Sequence, residues 1–80
     1  MNPAIHIGEE IKNHLNARKL PVAWLATKLG CDASALRKAL KKSWLTTDLL
    51  FRISLLLQKD FFACYSQILS EEINQAKIAR

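Results

Sequence analysis

The chain has 80 residues, half of them apolar, which is enough for one small domain but leaves little room for an enclosed active site. Twelve Lys and Arg outnumber seven Asp and Glu, so the formal net charge is +5. Only two Gly and two Pro interrupt the apolar pattern, which excludes a disordered tail and favours a compact helical bundle.

Apolar residues at helical spacing predict the first two helices. The first should run from about His6 to Arg18, with acids in its first turn. The second should begin at Pro21, whose missing N–H costs nothing there, and end at Gly30, which readily adopts a left-handed conformation. The residues predicted to be buried are Ile7, Ile11, Leu15, Val22, Leu25, Ala26 and Leu29.

The third helix combines a buried face with an exposed face of small and basic residues. Asp32 is a suitable N-cap, and the helix should run to about Lys41. The predicted core residues are Leu36, Ala39 and Leu40. The opposite face then carries Ala33, Ser34, Arg37, Lys38 and Lys41. Two short helices joined by a Gly-containing turn can place one helix in the major groove of DNA.

Two more helices are expected after this basic segment. Thr46 or Thr47 should cap the fourth helix and Asp60 the fifth, which beyond Ser70 either extends or frays. The fourth helix should bury Leu49, Ile53, Leu56 and Leu57. The apolar residues of the fifth helix are Phe62, Tyr65, Ile68 and Leu69. The aromatic residues expected in the core are Phe61, Phe62 and Tyr65. The sequence therefore predicts one all-α domain over residues 1–80, with a core of about 6–69 and a tail of 70–80.

Positive charge is concentrated in the middle of the chain. Residues 18–59 contain nine Lys and Arg and two Asp, a net charge of +7, whereas the remaining residues together carry −2. A basic middle between slightly acidic ends predicts that one face of the protein binds a polyanion.

These features resemble the lambda-repressor-like helix-turn-helix family, of the XRE or Cro type, over about residues 7–65. The matching positions are Leu25, Ala26, Leu29, Gly30, Leu36 and Ala39, where Ala26 is the small residue at the helix crossing. Segments such as HIGEEIK and KDFFACYS also resemble small stand-alone bacterial regulators of this type. The resemblance implies a five-helix bundle whose second and third helices bind double-stranded DNA and regulate transcription as a repressor.

The resemblance also implies which residues contact DNA. Base contacts would come from the third helix, through Ala33, Ser34, Arg37 and Lys38. Phosphate contacts would come from the backbone N–H groups of Val22 and Ala23 and from Lys41, Lys42 and Ser43. Many members have Gln at the Val22 position and a long polar residue at the Ala33 position. This chain should therefore read fewer bases or depend more on Arg37 and Lys38.

Other reactive or aromatic residues are expected to have structural roles. Trp24 and Trp44 should pack in the core or against a partner subunit. His6 and His14 have no nearby ligand set for zinc, and Cys31, expected to be half-buried, has no paired spacing with Cys64. No catalytic motif is visible, so the sequence predicts neither an enzyme nor a cofactor, metal or small-molecule site.

Location and partners follow from the ends of the chain and from the small footprint of one domain. Residues 1–10 do not resemble a signal peptide and apolar residues 49–57 are too few to span a membrane, which predicts a soluble cytoplasmic protein. A homodimer on a two-fold operator is expected, with residues 60–80 as its contact. Two alternatives remain open: an interaction adaptor without DNA contact, and an antitoxin or mobile-element regulator whose tail binds a partner.

Overall fold

Residues 5–78 are described by a computed structural model, in which this part of the chain forms five α-helices and no strand. The helices are α1 (Ile7–Ala17), α2 (Val22–Leu29), α3 (Ala33–Leu40), α4 (Thr47–Leu57) and α5 (Phe62–Ile78). The predicted all-α class and number of helices are therefore confirmed. None of these helices is both long and apolar enough to cross a membrane.

A single apolar core holds the bundle together. α3 packs against α1 and α2, and α2 also packs against α4. Every buried side chain of the core is apolar, and the core residues are Ile7, Ile11, Leu15, Leu25, Ala26, Leu29, Leu36, Leu40, Leu50, Ile53, Leu57 and Phe61. The predicted stripe of α1 is confirmed, since all three of its residues are fully buried. Val22 is half-buried and packs against the core, and Ala39, predicted to be a core residue, is also only half-buried.

The turn between α2 and α3 forms as the local sequence predicts. Gly30 has a φ of 74°, and the N–H of Cys31 donates to the Ala26 carbonyl at 3.0 Å, which ends α2. Asp32 caps α3 by accepting the Ala35 N–H at 3.2 Å. The predicted start of α2 is wrong by one residue: Pro21 is extended, with a ψ of 154°, and serves as the N-cap.

The predicted buried face of α4 is partly wrong. Leu50 is buried, whereas Leu56 is 36% exposed and Leu49 is half-buried. Residues 49–57 are nearly all apolar, so their periodicity does not select a face; packing against α2 does. Thr46, rather than Thr47, caps the helix by accepting the Leu49 N–H at 3.2 Å.

α5 continues well beyond the predicted core. It is helical through Ile78, so most of the predicted tail is part of this helix. Asp60 contributes its carbonyl to the first turn, accepting the Ala63 N–H at 3.3 Å, and no side-chain cap from Asp60 is present among residues 5–78. The molecule is elongated, 49 × 22 × 22 Å, and Leu69 and Ile73 remain 59% and 46% exposed on α5.

The start of α1 lies directly on the end of α3. A Cβ atom at Gly8 would overlap the Leu40 carbonyl and lie 2.8 Å from the Lys42 carbonyl oxygen, so only Gly fits here. The Ile7 N–H donates to the Ser43 carbonyl at 3.1 Å. His6 accepts the Glu9 N–H through Nδ1 at 3.0 Å, which leaves Nε2 to donate to the Lys41 carbonyl at 3.1 Å.

We predict that Gly8→Ala destabilises the fold by about 1–3 kcal/mol, because the new methyl group must push α1 away from the α3 main chain. Ala is the better helix former, so propensity alone predicts the opposite sign. Urea unfolding measures the change. Asn13→Ala, at an exposed position of α1, is the matched control and should not destabilise. A Gly8→Ala protein as stable as the wild type would contradict the close contact.

A second prediction concerns pH. Burial lowers the pKa of His14 from its usual 6.5, and the positive charges of Lys59 and Arg18 lower it further. The unfolded chain then binds the proton more readily, so the free energy of unfolding should fall as pH drops through and below about 6.5. Thermal unfolding at about pH 7.5 and about pH 5.5 should show this loss, and His14→Leu should reduce it. An equally steep loss in His14→Leu would exclude His14 as the cause, and Asn13→Ala again serves as the control.

Candidate nucleic-acid interface

The outward face of α3 carries three of the four residues predicted to contact bases. Ser34, Arg37 and Lys38 are exposed. Ala33 is half-buried and packs against the core, so its predicted place on the open face is only partly met. Ala33 is the first residue of α3 and directly follows the Asp32 cap.

The residues predicted to contact phosphate lie in two places. Ala23 is exposed and Val22 half-buried at the start of α2, where the N-cap Pro21 supplies no side-chain hydrogen bond. Lys41, Lys42 and Ser43 are exposed in the turn after α3. The carbonyls of Lys41 and Ser43 are bonded to α1, so their main chain is fixed while their side chains stay in solvent.

A basic cleft, not predicted from the sequence, lies where α1, α2 and α3 meet. It has a volume of about 250 Å³ and is lined by Lys12, Val22, Arg37, Leu40 and Lys41. Lys12 belongs to α1 and is half-buried. Nothing in the local sequence marks this lysine, because its proximity to α3 depends on how α1 packs.

Two of the arginines counted in the basic middle segment serve the fold instead. Arg18 donates through a guanidinium nitrogen to the Leu57 carbonyl at 3.2 Å, which joins the end of α1 to the end of α4. Arg52 donates to the Leu29 carbonyl at 3.0 Å, which joins α4 to the end of α2. Four of the nine basic residues of this segment lie instead on α3 and in the turn after it: Arg37, Lys38, Lys41 and Lys42.

The aromatic residues beside this surface differ in exposure. Trp24 is half-buried against the core, as expected, with the Lys28 ammonium 5.9 Å from its ring centre. Trp44 is 60% exposed, so it is not a core residue, and the Lys42 ammonium lies 5.3 Å from its ring centre. This pair extends the exposed surface beyond the end of α3.

The remaining candidate residues have no shared site within residues 5–78. His6 bridges α1 and α3. The His14 ring packs edge-on against the Phe61 ring, with 5.8 Å between the two ring centres. Cys31, in the turn between α2 and α3, is exposed, contrary to the expectation of a half-buried thiol, and Cys64 is half-buried. In the part of the chain that the structure describes, no group of three or more His, Cys, Asp or Glu could hold a metal ion.

No family model, curated protein or solved structure matches this chain. The resemblance to lambda-repressor-like proteins therefore stays a prediction based on the residues quoted above.

Proposed function

We propose that this protein binds double-stranded DNA in a sequence-specific manner and represses transcription. In this proposal α2 and α3 act as a helix-turn-helix within a lambda-repressor-like bundle. The observation that carries it is the exposed, acid-free outer face of α3, where Ser34, Arg37 and Lys38 lie next to Lys41 and Lys42. A convex helix with small and basic residues on its open side suits the major groove in shape and charge.

Arg37 is the residue best suited to read a base. Its guanidinium can donate to O6 and N7 of one guanine, a contact worth roughly 1–3 kcal/mol of discrimination. Lys38 and Ser34 are exposed on the same side of the helix and offer further donors. We therefore expect a half-site that contains at least one G·C pair.

Phosphates would be bound on both sides of these base contacts. Pro21 leaves the first N–H groups of α2 without a side-chain cap, and a helix N-terminus favours an anion. Lys41 and Lys42 would contact the backbone from the turn after α3, whose main chain is held against α1. Such contacts set the register in which Arg37 meets a base.

Selection of bound duplexes from a random pool tests the proposal. The wild type should enrich a motif with a G·C pair, and Arg37→Ala should weaken binding to it by about 1–3 kcal/mol and relax preference at that position. Lys41→Gln and Lys42→Gln should each reduce the slope of log K for duplex binding against log salt concentration by about one, without altering base preference. Lys28→Gln, at the far end of α2, is the control. The absence of any base preference in the selected pool would refute sequence-specific binding.

An exposed apolar surface on α4 and α5 supports the proposed homodimer. Phe51 and Leu55, one turn apart on α4, are 55% and 62% exposed, and they share a groove with Phe62. Leu69 and Ile73 follow Phe62 on the same face of α5, because spacings of seven and eleven residues return to one side of a helix.

This surface can complement itself. In the proposed dimer two α5 helices cross antiparallel, so that Leu69 and Ile73 of one copy would contact the Phe51, Leu55 and Phe62 groove of the other, and the two-fold axis would repeat the contact. Such a two-fold contact would present two α3 helices to one operator. It also explains why a protein of this size keeps several large apolar side chains in solvent.

Sedimentation of a variant that combines Leu69→Glu and Ile73→Glu tests the dimer. The two charges should separate the copies and leave the bundle folded, because both side chains are already exposed. Gln67→Glu, an exposed position on another side of α5, should leave the dimer intact. A wild type that stays monomeric at high concentration, both free and on DNA, would refute the dimer.

A further inference from the structure

We infer that Lys12 of α1 and Lys41 form an anion site in the basic cleft, and that this site binds one phosphate of the DNA backbone. The inference rests on the proposed DNA binding and assigns a contact to a residue outside the helix-turn-helix. Phosphate contacts fix how a protein sits on a duplex, so the role of Lys12 is to position Arg37 against its base.

The composition of the cleft selects for an anion. Three of its five lining residues, Lys12, Arg37 and Lys41, are cations and none is acidic. The other two, Val22 and Leu40, offer no polar side chain. Leu40 is fully buried, so one wall of the cleft is continuous with the apolar core. Attraction between opposite charges is stronger beside such a wall than in open water.

The cleft also has the right size and surroundings for a phosphate group. Its volume of about 250 Å³ accommodates one phosphodiester group but not a large ligand molecule. Val22 is the first residue of α2, whose N-cap provides no side-chain hydrogen bond, so the positive end of this helix dipole borders the cleft. Arg37 lines the cleft from α3 and Lys12 lines it from α1. The anion site is therefore next to the proposed base contact.

Lys12 is a poor choice for stability alone. Its side chain is half-buried in a cleft that holds two other cations and no acid, so the lining residues offer it no opposite charge. An anion in the cleft would supply that charge. Neutralising Lys12 should therefore leave the free protein as stable as before, or more stable, while it weakens binding to DNA. A lysine with a purely structural role would show the opposite effect on stability.

The test compares the wild type with Lys12→Gln, Lys12→Arg and the control Lys28→Gln on a duplex that the wild type selects. Lys12→Gln should reduce the slope of log K against log salt concentration by about one and leave base preference unchanged. The thermal midpoint of the free variant should equal or exceed that of the wild type. Lys12→Arg should retain the slope, and Lys28→Gln should match the wild type. A Lys12→Gln slope equal to that of the wild type overturns the inference and leaves the proposed function standing.

A scan of the same duplex with neutral methylphosphonates locates the contact. One position should weaken wild-type binding but have no further effect on Lys12→Gln, because the charge pair is already lost. If the two losses add at every position, Lys12 does not contact a phosphate. Titration of the wild type with inorganic phosphate tests whether the ligand is a free anion. If phosphate binds as tightly as the duplex, the assignment of the site to a phosphate of the DNA backbone is wrong. A wild type that binds no duplex overturns the proposed function and this inference together.

Discussion

The contact between the start of α1 and the end of α3 is the constraint on which the basic surface depends. Gly8 allows the α1 main chain to touch the carbonyls at the end of α3, and the Ile7 N–H bonds to Ser43 at the same place. Helix α3 is therefore held at its C-terminal end by α1, and it also packs against α2. The same contact brings Lys12 beside Lys41 and creates the basic cleft.

Positive charge serves two separate purposes in this protein. Arg18 and Arg52 donate to carbonyls at the ends of α4 and α2, where a cation also complements the negative end of the helix dipole. These bonds connect helices whose ends would otherwise leave carbonyls free. Arg37, Lys38 and Lys41 project into solvent instead, on the side proposed to meet DNA. A net charge alone does not separate these two groups.

Two surfaces of opposite character remain on the outside of a small core. One is basic and lies on α3 and the turn after it, and the other is apolar and lies on α4 and α5. The core of residues 5–78 has twelve buried side chains and leaves Phe51, Leu55 and Leu69 more than half exposed. This arrangement suits a subunit that meets a polyanion on one side and its own copy on the other, as proposed.

Local sequence determined where the helices lie, because caps and turns act over a few residues. Gly30 ends α2 and Asp32 begins α3 through hydrogen bonds between near neighbours, and the α1 stripe has only one apolar face to bury. Tertiary structure alone decided which face of α4 is buried, since residues 49–57 are apolar on nearly every side. It also decided that Lys12 belongs to the basic cleft and that Arg18 and Arg52 do not, because these contacts join residues far apart in the chain.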